Sequence, residues 1–113
     1  MTQNRLIVVW LSGEKRAAAD MALLYLRESL FAGAWKNAEL WLWGPPVELA
    51  ARDADVLDEL LLAQSVGVRL SACMDCAVRY GVADTLAREG ISVRGLSAAL
   101  TEALQQRLPL LLI

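Results

Sequence analysis

With 113 residues and 57% of them hydrophobic, the chain is sized for a single domain over residues 1–113, with a substantial core. Its formal net charge is −2 and its 11 lysines and arginines are scattered, so the sequence offers no basic face for nucleic acid. Two cysteines and no histidine remove every histidine metal site and the Cys-His and Ser-His catalytic schemes at once.

The first apolar run, over residues 5–11 (Arg-Leu-Ile-Val-Val-Trp-Leu), is rich in β-branched residues and continuous. It reads as a strand buried on both faces, as in a parallel sheet. It is far shorter than the roughly 18 apolar residues of a membrane span, so no membrane association is expected. The run is also too short for a signal peptide and lacks a convincing cleavage site, so none is expected. Two cysteines without a secretion signal point to the cytoplasm. Ser12-Gly13 breaks the strand, and Glu14 opens a helix running to Phe31, with Gly33 as its stop. Apolar residues cover more of that helix than the single face a sheet would bury. A homo-oligomer is therefore expected, with part of the helix covered by a partner.

A second strand over residues 38–44 carries Trp41 and Trp43 on one face and Leu40 and Leu42 on the other, and Gly44-Pro45-Pro46 ends it. A helical turn over 47–52 and a helix over 53–65 follow, the latter with Leu57, Leu60 and Leu61 inward. The third strand covers 68–72. Helices over 77–80 and 82–89 are separated by Gly81, and a fourth strand spans 91–94. Ser97 is placed to cap a helix to about 106, with Leu100, Ala103 and Leu104 inward, and a last strand runs over 110–113. The alternation of strands and helices predicts an α/β protein, a three-layer α/β/α domain around a largely parallel five-stranded sheet.

In such sheets ligands bind beyond the carboxyl ends of the strands. Those ends are Ser12-Gly13, Gly44-Pro45-Pro46, Ser71 to Cys76, and Gly95. Both cysteines fall there, as Cys73-Met74-Asp75-Cys76. A cysteine where a strand hands over to a helix lies near unpaired backbone N–H groups, which favour thiolate and can bring its pKa from about 8.5 toward neutrality. Cys73 is thus the expected nucleophile and Cys76 a resolving partner. Lys15 is a candidate source of positive charge, Asp75 a candidate helix cap, and Arg79 and Tyr80 candidate site-lining residues. A bland reading stands beside this one: free cysteines are often small interior residues. A zinc site needs four ligands, which one chain does not supply, so zinc is left only as an ion shared between subunits; a thioredoxin-type site calls for a different motif and position. No cofactor is expected.

The run Cys73-Met-Asp-Cys76-Ala-Val-Arg-Tyr-Gly81-Val82 resembles the active-site loop of the DsrE/DsrF/TusD-like sulfur-relay proteins, in which a cysteine opens a helix with an Arg-x-Gly-like end eight residues later. Glu39-Leu-Trp-Leu-Trp-Gly44 and Gly90-Ile-Ser-Val-Arg-Gly95 resemble that family's second and fourth strands. The resemblance implies a compact α/β/α domain assembling into trimers or hexamers. It also implies a persulfide on Cys73 that passes between sulfur donor and acceptor proteins. Sulfur-transfer members typically rely on one cysteine; this chain has a second at Cys76. Two other functions stay open at this point: a non-catalytic assembly or small-ligand-binding subunit, and a thiol–disulfide redox protein.

Overall fold

Five strands pair side by side in the order β4-β3-β2-β1-β5 in the computed structural model, which describes residues 4–113. The N-terminal residues 1–3, part of the segment tested above for a signal peptide, lie outside the described residues. The strands are β1 (Arg5–Trp10), β2 (Asn37–Leu42), β3 (Arg69–Cys73), β4 (Ser92–Arg94) and β5 (Leu110–Leu112). Every neighbouring pair is parallel. β1 and β2 are buried along almost their whole length, as continuous apolar runs require.

The strand order fixes the layers. From β1 to β4 each crossover steps the same way, and right-handed crossovers then put all their helices on one face. Only the step from β4 back past β1 to β5 goes the other way, so its helix stands alone on the opposite face. The result is the three-layer α/β/α fold expected from the sequence.

The predicted helix over 14–31 forms in three pieces: α1 (Lys15–Ala17), a π-helical segment (Ala18–Leu23) and α2 (Leu24–Phe31). Glu14 is its cap rather than its first residue, its carboxylate accepting the Arg16 N–H at 2.9 Å. Ala18, Ala22, Leu23 and Leu26 face the sheet, while Met21, Leu24, Tyr25 and Phe31 remain exposed. α3 (Pro45–Arg52) starts two residues earlier than predicted, because Pro45 and Pro46 fill its first two positions, where no N–H is needed. Gly44 precedes them at φ 79, a conformation that favours glycine. α4 (Ala54–Ser65) is capped by Asp53, whose carboxylate accepts the N–H groups of Asp55 and Val56. Its buried residues are Val56, Leu60 and Ala63.

α5 (Met74–Tyr80) and α6 (Ala83–Arg88) are separated at Gly81, which is left-handed at φ 71, as the sequence signalled. α7 (Ser97–Gln105) is the helix on the other face. Two expectations about it are corrected. Leu96, not Ser97, occupies the cap position, with no side-chain cap hydrogen bond. Ala103 is buried but Leu104 is exposed, because a single helix on a broad sheet face presents a narrow contact stripe.

Candidate functional site

Cys73 is the last residue of β3 and also the cap residue of α5, with φ −60 and ψ 121. The helix therefore begins at Met74, three residues before the expected start. That moves Cys76 into the first helical turn, on the same side as Cys73, and the two free thiols interact directly. Both are nearly covered, at 6% and 7% exposure. Small residues make this possible: Ala72 and Ala77 on either side are fully buried and leave room for the turn to pack against the sheet.

The thiols border a pocket of 290 Å³ at the carboxyl edge of the sheet. Trp43 forms one wall, Asp75 and Arg79 line it from α5, and the turn from Gly95 into α7 closes it. Trp43, Cys73 and Gly95 each follow from a strand end, so three neighbouring strands contribute, in agreement with the general rule for parallel sheets. The wall from Trp43 was not read from the sequence, although its neighbour Gly44 was. The start of α7 was read only as a helix cap. The signal available was the adjacency of β3 and β4, which puts residues 95–98 beside residue 73.

The electrostatics correct one expectation. Burial pushes the Cys73 thiol up from its ordinary value, and its interaction with Cys76 adds to this. Backbone N–H groups of Cys76 and Asp75 act the other way, in favour of the thiolate. They do so without a formed side-chain cap hydrogen bond, so desolvation wins. Burial therefore works against the thiolate that the helix-start argument favoured.

Several predicted residues lie elsewhere. Lys15 donates to Asp53 at 2.9 Å and lines a separate cavity with Trp10 and Asp20. Ser12 and Gly13 lie by the α3 turn, where a Cβ on Gly13 would stand 3.6 Å from Pro45. Gly44 shapes that same turn and is not part of the cysteine pocket wall. Ser71, two residues before Cys73, accepts the Arg94 Nε–H at 3.1 Å and opens to a different cavity. Tyr80 packs on the core, and its carbonyl accepts from Arg52 Nη2 at 2.8 Å. Asp75 makes no cap hydrogen bond, because Cys73 holds the cap position and Asp75 falls inside the helix. Thus Cys73, Cys76, Asp75 and Arg79 come together, while Ser12, Gly13, Lys15, Gly44, Ser71 and Tyr80 do not join them.

Among the described residues, no three His, Cys, Asp or Glu side chains gather as a metal-binding group. No helix among them is long and apolar enough to cross a membrane.

Neither a protein-family model nor a curated protein matches the chain. Among solved structures, BT1422 from Bacteroides thetaiotaomicron, a conserved protein of unknown function, superposes with a TM-score of 0.94 at 34% identity, covering 97% of this chain and 95% of that one. The chain belongs to the same family as BT1422. MTH1491 from Methanobacterium thermoautotrophicum, also of unknown function, has a TM-score of 0.78 at 15% identity over 96% of this chain and 98% of its own. That second likeness is one of fold.

Proposed function

We propose that this protein carries sulfur as a persulfide on Cys73, as a cytoplasmic relay between a donor and an acceptor protein, in the manner of the DsrE/DsrF/TusD-like proteins its cysteine loop resembles. The observation that carries this reading is the position of Cys73: strand end and helix cap at once, beside a second free thiol, on a pocket at the carboxyl edge of the sheet. The pocket has room for one added sulfur atom and for the terminus of a docking partner. It contains no histidine base, in keeping with a carrier that exchanges sulfur rather than a hydrolase.

In the loading step, deprotonated Cys73 Sγ attacks the terminal sulfur of the donor's persulfide. A new S–S bond forms on Cys73, the donor's S–S bond breaks, and the donor leaves as a thiolate. Burial of the thiol slows this step until a partner docks and helps remove the proton. The terminal sulfur of a persulfide is more acidic than a thiol, so the product is anionic. The N–H groups of Asp75 and Cys76 and the Arg79 guanidinium then favour it. The site is better suited to holding the anionic cargo than to generating a fast nucleophile.

The adjacency of Cys76 favours a second outcome. Its thiolate attacks Cys73 Sγ, the outer S–S bond breaks, hydrosulfide leaves, and a Cys73–Cys76 disulfide remains. The domain then delivers sulfide rather than a persulfide, and a dithiol reductant resets it.

Incubation with a persulfide donor followed by peptide mass spectrometry tests the assignment. Addition of one sulfur should map to Cys73 and vanish in Cys73→Ser. Equal loading of the Cys73→Ser protein would sink the proposal.

A further inference from the structure

The face of the sheet that carries α7 is covered by that helix alone, and the amino end of this face holds a cavity of 570 Å³ that shares no lining residue with the cysteine pocket. Three arginines from three strands line it beside one carboxylate, and two of them pair with it. Glu39, in the middle of β2, is only 4% exposed. Arg5 of β1 donates its Nε–H to Glu39 Oε2 at 2.5 Å. Arg69 of β3 is the direct cross-strand neighbour of Glu39. Arg94 of β4 leans back over Trp41, its guanidinium 5.5 Å from the ring centre, and donates its Nε–H to Ser71. Its Nη2 stands 3.9 Å from Glu39 Oε1.

The charges do not balance. On this wall three guanidinium groups stand against one carboxylate, a surplus of two positive charges. Glu102 of α7 joins Arg5 and Arg94 only in the neighbouring cavity, where its carboxylate accepts from Gln106. A buried carboxylate shared by two arginines is costly unless fully paired, and its effect here is to fix the arginine side chains in one arrangement. Trp41 reinforces this, since its Nε1–H donates to Glu39 Oε1 at 3.2 Å while its ring supports Arg94. Each guanidinium has five N–H donors. In Arg5 and Arg94 the Nε–H is the one hydrogen-bonded to protein among the described residues, which leaves terminal N–H donors available to a ligand. The Ser71 and Ser92 hydroxyls add donors from β3 and β4. Arg5 and Arg94 are thus oriented before any ligand arrives, and planar guanidinium donors suit phosphate oxygens.

We propose that this cavity binds a small molecule bearing a phosphate group. A phosphomonoester carries close to two negative charges at neutral pH, which matches the surplus, and the cavity is large enough for an organic moiety attached to it. A monocarboxylate would leave one positive charge unmatched. The site lies at the amino ends of β1, β3 and β4, whereas Cys73 lies at a carboxyl end, so it does not depend on the sulfur-carrier reading.

The test is a titration of the whole protein with inorganic phosphate and with ribose 5-phosphate, against chloride at matched ionic strength. It is followed by the arginine Nε–H signals in NMR and by the shift in thermal midpoint. Saturable changes in the Arg5, Arg69 and Arg94 signals are expected with both probes. Arg69→Gln alters an exposed residue at a strand start and leaves the buried pair intact. It should weaken binding at least about tenfold, the scale of one charge-assisted hydrogen bond. Arg5→Lys should weaken it too, while keeping charge. Phosphate behaving as chloride does, or undiminished affinity in a folded Arg69→Gln protein, would overturn the assignment.

Discussion

Cys73 and Arg94 are paired across the β3–β4 ladder, yet they serve opposite ends of the sheet. The Cys73 side chain faces the pocket at the carboxyl edge, under the start of α7. Arg94, its neighbour, reaches back toward the amino end to Ser71 and Glu39. The long, flexible arginine stem allows this, because its charge is better satisfied among Glu39, Ser71 and Trp41 than beside two buried thiols. One rung of the ladder therefore separates the cysteine pocket from the arginine-lined one.

The role of Cys76 separates carrier from sulfide releaser. With Cys76→Ser, loading at Cys73 should persist, and the persulfide should accumulate rather than decay to hydrosulfide. Sulfide release by the wild type, measured with a sulfide-trapping dye under single-turnover conditions, should fall to background in the variant. Release at the wild-type rate would show that Cys76 does not resolve the persulfide.

The pH dependence of Cys73 follows from its burial. Its thiol is pushed up, chiefly by desolvation, so the thiolate appears only above the ordinary cysteine range near about 8.5. Alkylation of Cys73 in a Cys76→Ser background should be slow at pH 7 and rise with a midpoint above that value. Removing Cys76 takes away a smaller raising contribution and leaves the burial. A midpoint below the ordinary value would mean that the helix-start N–H groups outweigh desolvation.

Glu39 makes stability acid-sensitive. Burial alone would raise its carboxyl, but hydrogen bonds from Arg5 and Trp41 and the charges of Arg5 and Arg69 outweigh that and hold it below the usual range. A folded-state value lowered in this way gives stability that is present above the unfolded value, about 4.3, and is lost as pH falls through the folded one. Glu39→Gln should lower stability at pH 7 by about 1–3 kcal/mol. Its loss of stability on acidification should be shallower than that of the wild type. Urea unfolding across pH 3–7 measures both; parallel curves would contradict the account.

The outer surface of α2 bears on assembly. Phe31 is 89% exposed, and Met21, Leu24 and Tyr25 lie exposed on the same helical run. An apolar strip of this kind favours self-association. Sedimentation velocity should show the wild type as an oligomer, and Phe31→Glu should shift it toward monomer while circular dichroism stays unchanged. Identical sedimentation of a monomeric wild type and variant would remove α2 as the interface.

What the sequence determined by itself was local. The continuous apolar runs of β1 and β2, the alternation with helices, and the glycines at residues 33, 81 and 90 fixed the elements and hence the parallel α/β/α class. The position of Cys73 between β3 and α5 was legible for the same reason: strand ends and helix starts are written in neighbouring residues. Cap choices were less so. Pro45, Leu96 and Cys73 took positions that simple residue preference assigned to others, since tertiary packing set where each helix could begin. Cys73, Cys76, Asp75 and Arg79 were legible together because they are neighbours in the chain; which distant residues join or leave the site was decided by the tertiary structure. Lys15 found Asp53, and Ser71 found Arg94, through contacts 38 and 23 residues away in the chain. The upward push on the Cys73 thiol and the pairing of Arg5 and Arg94 with Glu39 have the same origin. Burial and charge are sums over neighbours in space, and a linear pattern does not contain those sums.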